Sequence, residues 1–283
     1  MATLTRGSSL LECKSRMSIV YWSKTDKRKG FVRRAWEIFE FELDRAQTFL
    51  VKPNLVSSEP YPTTTHPEIL DAVLELLSGR NVVVADAPAV DAGSSRNIVQ
   101  NSALKEVCDS YRVPFINLYE TKAKKFASPR GYGFRMFTLP LEKDFVISLP
   151  VLKTHNQCQM TGALKNQFGY LPRRERILMH LRVMNIHKGI AELNVAAKPQ
   201  LFIIDAVQTF MSAQEVRHGG RRSELGYMLA GTDPVALDCF GLELLQKLEP
   251  KLSGKSPEEV PHLKYSLDYQ VGSKEFKAQE IIV

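Results

Sequence analysis

DFVISLPVLKTH, Asp144–His155, is an apolar run that stops abruptly in three polar residues, Lys153, Thr154 and His155. Its apolar part, Asp144–Leu152, has strand length and no strict alternation, so both faces are expected to be buried, as in a parallel sheet covered by helices. The same pattern recurs on either side. Upstream, strands are predicted at Met17–Ser23, Thr48–Pro53, Asn81–Asp86, Pro114–Tyr119 and Phe134–Leu139, the last paired antiparallel at an edge. Downstream they are predicted at Pro199–Asp205 and Leu225–Gly231.

Helical periodicity fills the intervals. Phe31–Ala46 places Phe31, Ala35, Ile38, Phe39 and Leu43 on one face, and Pro67–Leu77 ends before Gly79. Ser95–Tyr111 reads as one helix, and Gly162–Phe168, Arg174–Arg182 and Lys188–Ala197 as short ones. Pro234–Leu248 opens with an Asp233 N-cap followed by proline. Thr121–Tyr132 and Ser212–Ser223 read as long loops. Strands alternating with helices predict an α/β fold: a mostly parallel sheet with helices on both faces and some antiparallel edge strands. Met1–Arg16 reads as a poorly ordered leader, and residues 17–283 as a single domain. The leader holds one acidic and three basic residues, which leaves a targeting role open.

Hydrophobic residues make up 44% and charged residues 24% of the chain, ordinary proportions for a globular protein. No apolar run approaches the roughly 18–20 residues that cross a bilayer, so no membrane association is expected. The N-terminus lacks the continuous apolar segment of a signal peptide, and a cytoplasmic location is expected. Cys13, Cys108, Cys158 and Cys239 form no C-x-x-C pair, so no intrachain iron–sulfur cluster and no disulfide is expected unless scattered cysteines meet in space. The net charge of +7 suits an anionic partner. The common nucleic-acid modules are missing, so a small anionic ligand is expected rather than a polynucleotide.

In open α/β sheets ligands gather outside the carboxyl ends of the strands, and here those ends are polar. Lys52 and Asn54, Asp86, Lys153 and His155, and Asp205 each follow an apolar run and are expected to converge. The segment KTHNQCQMTGALKNQFGY, Lys153–Tyr170, adds Thr161, Lys165 and Asn166. Thr161 is expected to cap a helix whose free N–H groups hold an anion; the plainer reading of Lys165 is a helix lysine facing water. The segment SSEPYPTTTHPEIL, Ser57–Leu70, contributes Thr64 and His66, although a helix start with proline at its first turn explains His66 equally well. Arg173, Arg174 and Arg176, and Arg217, His218, Arg221 and Arg222, form two basic clusters near strand ends. Arg173 and Arg221 are therefore anion-binding candidates, set against a merely solvated surface. Gly219–Gly220 suggests a flexible loop acting as a lid.

KPNL at Lys52–Leu55, TTHPE at Thr64–Glu68, ISLPVLKTH at Ile147–His155, TGALKNQFG at Thr161–Gly169 and LAGTDPVALD at Leu229–Asp238 resemble the domain-of-unknown-function-362 family. Many of its members carry an added ferredoxin-like segment with four-cysteine clusters. This chain lacks one, so any iron–sulfur role would need a separate ferredoxin-like partner. His155, Lys165 and His180 also occur in the order seen in the N-terminal domain of nickel-dependent lactate racemase. That resemblance implies a metal, with His155 and His180 as candidate ligands, and a nickel pincer nucleotide on the lysine. The glycine-rich run of the racemase is reduced here to Thr161-Gly162-Ala163.

Together these features point to an enzyme or enzyme component that binds a small anion or a nucleotide-like cofactor. Lys153, His155 and Lys165 are its candidate catalytic groups, with His66 as a third member beside His155 and Lys165. A non-catalytic carrier, or a redox accessory working with an iron–sulfur partner, would use the same residues.

Overall fold

The computed structural model describes residues 17–283; the Met1–Arg16 leader and Cys13 lie outside the described residues. The chain runs β1 (Ser18–Lys24), α1 (Arg28–Asp44), β2 (Thr48–Pro53), α2 (Pro67–Leu76), β3 (Asn81–Asp86), α3 (Ser95–Gln100), α4 (Ala103–Ser110) and β4 (Phe115–Asn117). It continues with β5 (Ala123–Ala127), β6 (Gly133–Phe137), β7 (Phe145–Leu149), β8 (Lys153–His155), β9 (Gln159–Thr161), α5 (Ala163–Asn166), α6 (Arg173–His180) and α7 (Ile186–Ala197). Last come β10 (Leu201–Met211), β11 (Arg221–Gly231), α8 (Pro234–Gln246), α9 (Pro261–Asp268) and β12 (Phe276–Glu280).

Eight strands form one sheet in the order β12-β1-β11-β10-β7-β2-β3-β4. The pairs β2–β3, β2–β7, β3–β4, β7–β10 and β1–β12 are parallel, whereas β11 is antiparallel to both of its neighbours. The sheet is therefore mostly parallel, as the unbroken apolar strands require. Its two faces bury separate cores. Leu50, Val146, Phe202 and Ile204 pack with Leu164, Met179, Ile190 and Leu242 from α5 to α8. Phe49, Val51, Ile147 and Ile203 pack with Phe31, Phe39, Leu70 and Leu104 from α1, α2 and α4. Successive strand residues thus alternate between two helical layers, and most positions along these strands are apolar.

Three expectations need correction. Ser95–Tyr111 is two helices, because Ser102 breaks the first and caps the second through its hydroxyl, which accepts from Lys105 N at 3.2 Å. The expected loop Thr121–Tyr132 contains β5, which pairs antiparallel with β6 in a hairpin outside the main sheet. The strand predicted to end at Asp205 continues to Met211, because β10 and β11 pair along their length as a long ribbon.

Candidate functional site

Beyond Leu149 the chain leaves the sheet, pairs once beside Asp205 through Val151, and folds into the tight antiparallel hairpin β8–β9. This hairpin carries Lys153, His155 and Thr161 into a cleft of about 500 Å³. Lys52 and Asn54 at the end of β2, Asp86 at the end of β3, and Lys165 and Asn166 on α5 line the same cleft, as do Arg176 and His180 on α6. Gln214, Glu215 and His218 from the β10–β11 connection close another side.

The floor is an ion pair. Lys52 Nζ donates to Asp86 Oδ1 at 2.7 Å and to the Pro53 carbonyl at 2.9 Å, with both side chains almost fully buried. Asp86 also accepts from Leu55 N and Ala87 N, each at 2.8 Å, so three donors hold its carboxylate. Burial lowers the Lys52 pKa despite that partner. Gly169 permits the arrangement, since a Cβ there would lie 2.3 Å from Asp86 Oδ1 and 2.7 Å from Lys52 Nζ. Asn166 completes the floor by donating to Ser148 Oγ at 2.9 Å. Lys52 and Asp86 thus shape the cleft and hold each other.

The other cations are differently placed. Lys153 is fully buried, and its Nζ donates only to the Thr63 carbonyl at 2.6 Å and the Pro62 carbonyl at 3.5 Å. Burial, reinforced by the charge of Lys165, brings its pKa down to about 7. Lys165 is half-buried, with Nζ 4.9 Å from the Phe168 ring centre, and its pKa is also lowered by burial. Arg176 is buried and donates four of its five N–H groups to the carbonyls of Leu171, Pro88, Ala87 and Gly169 at 2.8–2.9 Å. Among the described residues, none of these three has a carboxylate within ion-pair distance. Two buried acceptors in the same cleft, Asn54 Oδ1 and Thr161 Oγ1, have no hydrogen-bond partner.

The two histidines present opposite chemistry. His155 Nδ1 accepts from Gln157 N at 3.1 Å and Cys158 N at 3.2 Å, so the neutral ring carries its proton on Nε2. Burial and the neighbouring Lys165 charge hold its pKa well below the usual histidine value. His180 Nδ1 lies 2.9 Å from Gln157 Oε1, where an Nδ1–H donates and Nε2 keeps its lone pair. Burial and then Lys165 bring His180 to about 4.

Other candidates lie elsewhere. The N–H groups expected to await an anion at the start of α5 are already taken: Asp238 of α8 accepts from Ala163 N at 2.6 Å and Leu164 N at 3.0 Å. Thr161 does not cap that helix. Asp205 faces away from the cleft. It shares the sheet face of Ile203, accepting from Arg28 Nε and from the Tyr61 hydroxyl, both at 2.7 Å. Thr64 and His66 line a second cleft of about 630 Å³, beside Arg28 and the start of α4. There His66 caps α2, its Nδ1 accepting from Glu68 N. His66 therefore does not join His155 and Lys165. Arg173 is exposed over the Tyr119 ring and Arg221 is exposed at the start of β11; neither lines the first cleft. The connection bearing Gly219–Gly220 is tied down, because Glu59 accepts from Val216 N and Arg217 N while Arg217 bridges Glu215 and Asp91. Sequence reading ranked Arg173 over Arg176, and it missed Gln157 and the Asp238 cap.

Fold and site define a class: α/β proteins with a cation-lined cleft beside the carboxyl ends of parallel strands. The chain belongs to the family described as a domain of unknown function (DUF362), whose model matches residues 49–243. Every residue named above as lining the first cleft lies within that span. A thylakoid-associated protein of Synechocystis sp. is 29% identical over 213 residues, covering 71% of this chain and 63% of the relative's length. The apoprotein of lactate racemase from Thermoanaerobacterium thermosaccharolyticum matches in structure with a TM-score of 0.54 and 13% identity, over 82% of this chain and 57% of the racemase. The chain thus spans less than two thirds of either protein, and the second likeness is one of fold. Among the described residues no helix is long and apolar enough to cross a membrane. Cys108, Cys158 and Cys239 are buried and free.

A metal held by protein side chains alone needs several ligands placed together. Among the described residues no group of three or more His, Cys, Asp or Glu side chains is placed to hold one. His155 has no lone pair to offer, since Nδ1 accepts two backbone N–H groups and Nε2 carries the proton.

Proposed function

We propose that the protein binds a small carboxylate or phosphate anion in the 500 Å³ cleft and transfers a proton on it. One observation carries this reading: among the described residues, Lys153, Lys165 and Arg176 line one cavity with no carboxylate within ion-pair distance of any of them, Glu215 acting on the two lysines only from farther off. Unpaired buried cations are costly, and an anionic ligand supplies the missing charge. Lys165 Nζ and the remaining Arg176 Nη1–H attract the anion. The Thr161 hydroxyl gains a partner by donating to it. The His155 Nε2–H donates a hydrogen bond to a ligand oxygen, and the His180 Nε2 lone pair accepts a proton. Neutralising Lys165 removes one cause that depresses His180, so ligand binding itself makes His180 a stronger base.

Calorimetric titration with phosphate, sulfate, nucleotides and small carboxylates tests binding. At least one anion is expected to bind, and Lys165→Ala is expected to weaken it about 10–100-fold, the worth of one charge-assisted hydrogen bond. Binding by none of them, or binding indifferent to Lys165→Ala, contradicts the reading.

A further inference from the structure

The cations occupy only part of the cleft wall. Helix α6 presents two adjacent stripes, each of two residues one turn apart: Arg176 with His180, and Ile177 with Leu181 just beyond its end. Ile177 and Leu181 line the cleft, yet they are 44% and 68% exposed and pack into neither core. Facing the same cavity are Val56, Ala89 and Val90, all partly exposed. Single exposed apolar side chains on a surface need no explanation. Five that share one cavity with three unpaired cations form an apolar patch joined to a cationic stretch of wall. The volume of about 500 Å³ also far exceeds what a phosphate or small carboxylate fills, and falls in the range of sites for drug-sized ligands.

We propose that the ligand of this cleft is an amphiphilic anion. Its phosphate or carboxylate head meets Lys153, Lys165 and Arg176, and its apolar body lies between Ile177 and Leu181 on one side and Val56, Ala89 and Val90 on the other. This rests on the anion-binding reading and adds the class of ligand. The head supplies the negative charge that these three cations lack. The body covers apolar side chains that otherwise face water, and each covered methylene adds affinity.

The test is calorimetric titration with inorganic phosphate, ethyl phosphate, butyl phosphate and octyl phosphate, all below their micelle concentrations, with octyl glucoside as a neutral control. Roughly twofold per half-covered methylene makes octyl phosphate at least about tenfold tighter than ethyl phosphate. In Ile177→Asp/Leu181→Asp the octyl-to-ethyl ratio is expected to fall towards one. These positions are exposed, and circular dichroism confirms that the variant is folded. If phosphate binds and octyl phosphate binds no tighter, the amphiphile proposal is wrong and the anion reading stands. If none of the phosphates binds, both are wrong. Octyl glucoside binding as well as octyl phosphate would also overturn the proposal, because the cations would then contribute nothing. Cosedimentation with phosphatidylcholine vesicles, with and without phosphatidic acid, separates the two sources of such a head. Binding only with phosphatidic acid, lost in the double variant, identifies a bilayer lipid; octyl phosphate binding without cosedimentation identifies a free amphiphile.

Discussion

Lys153 brings an amine into a fully buried position where only backbone carbonyls accept from it. Its folded pKa of about 7 lies below the ordinary value of 10.5, so the folded state favours the neutral amine. The unfolded chain binds more protons between those two values, and this residue's contribution to stability is present above pH 10.5 and lost as pH falls through about 7. Lys153→Met keeps the stem and removes the titration. The variant is expected to gain thermal stability relative to the parent as pH falls from 10 to 7, measured by midpoint across that range in anion-free buffer. An unchanged difference between the two proteins at every pH would show that Lys153 stays charged. The histidines report on the same field: Lys165 is among the causes that depress both His155 and His180. Phosphate is therefore expected to raise the His180 pKa from about 4 towards its usual value, read from ring proton shifts by NMR, and Lys165→Ala is expected to raise it without phosphate. A His180 titration insensitive to both changes would remove it as the proton acceptor.

Helix α5 is only four residues long, too short to be stable on its own, and it is held from outside. Asp238 spans its first two N–H groups from α8, and burial pushes that carboxyl up to about 7. Gly162 makes the approach possible, since a Cβ there would sit 2.1 Å from Asp238 Oδ1. Gly162→Ala and Asp238→Ala are each expected to cost about 1–3 kcal/mol, through overpacking and through unsatisfied buried N–H groups respectively. The two disrupt one contact, so the double variant is expected to lose less than the sum, as denaturant titration would show. Additive losses would mean that the two residues act separately. Because α5 carries Lys165 and Asn166, this cap also positions the cleft.

At the scale of the molecule, the sheet gathers one side of the cleft from β2 and β3, and the hairpin β8–β9, α5, α6 and the β10–β11 connection gather much of the rest. Stabilisation by an anion is therefore expected to act on the whole fold. At about 100 times its Kd a bound anion adds roughly 2.7 kcal/mol, which in a domain of this size raises the thermal midpoint by about 5–10 °C. Scanning calorimetry with rising phosphate is expected to show one transition moving upward. Two separating transitions would indicate that the cleft unfolds apart from the sheet.

Local patterns were enough to read much of this protein. Apolar runs of strand length, helical periodicity and the Asp233-Pro234 helix start are signals carried by neighbouring residues, and they specified a mostly parallel sheet between two helical layers. The polar residues after Val51 and Leu152 were legible for the same reason. That Lys52, Asn54, Asp86, Lys153 and His155 share a cavity was legible as well; that Asp205 stands outside it was not. Asp205 looked equivalent to Lys52 and Asp86, yet β10 does not end there, and strand alternation turns its carboxylate to Arg28 on the opposite face. His66 was drawn to the second cleft by its place at the start of α2. Arg176 was chosen over Arg173 by the way α6 docks, and the N–H groups of α5 were claimed by Asp238, 75 residues away. Such pairings depend on distances across the fold that no local period encodes, so the tertiary structure alone decided them.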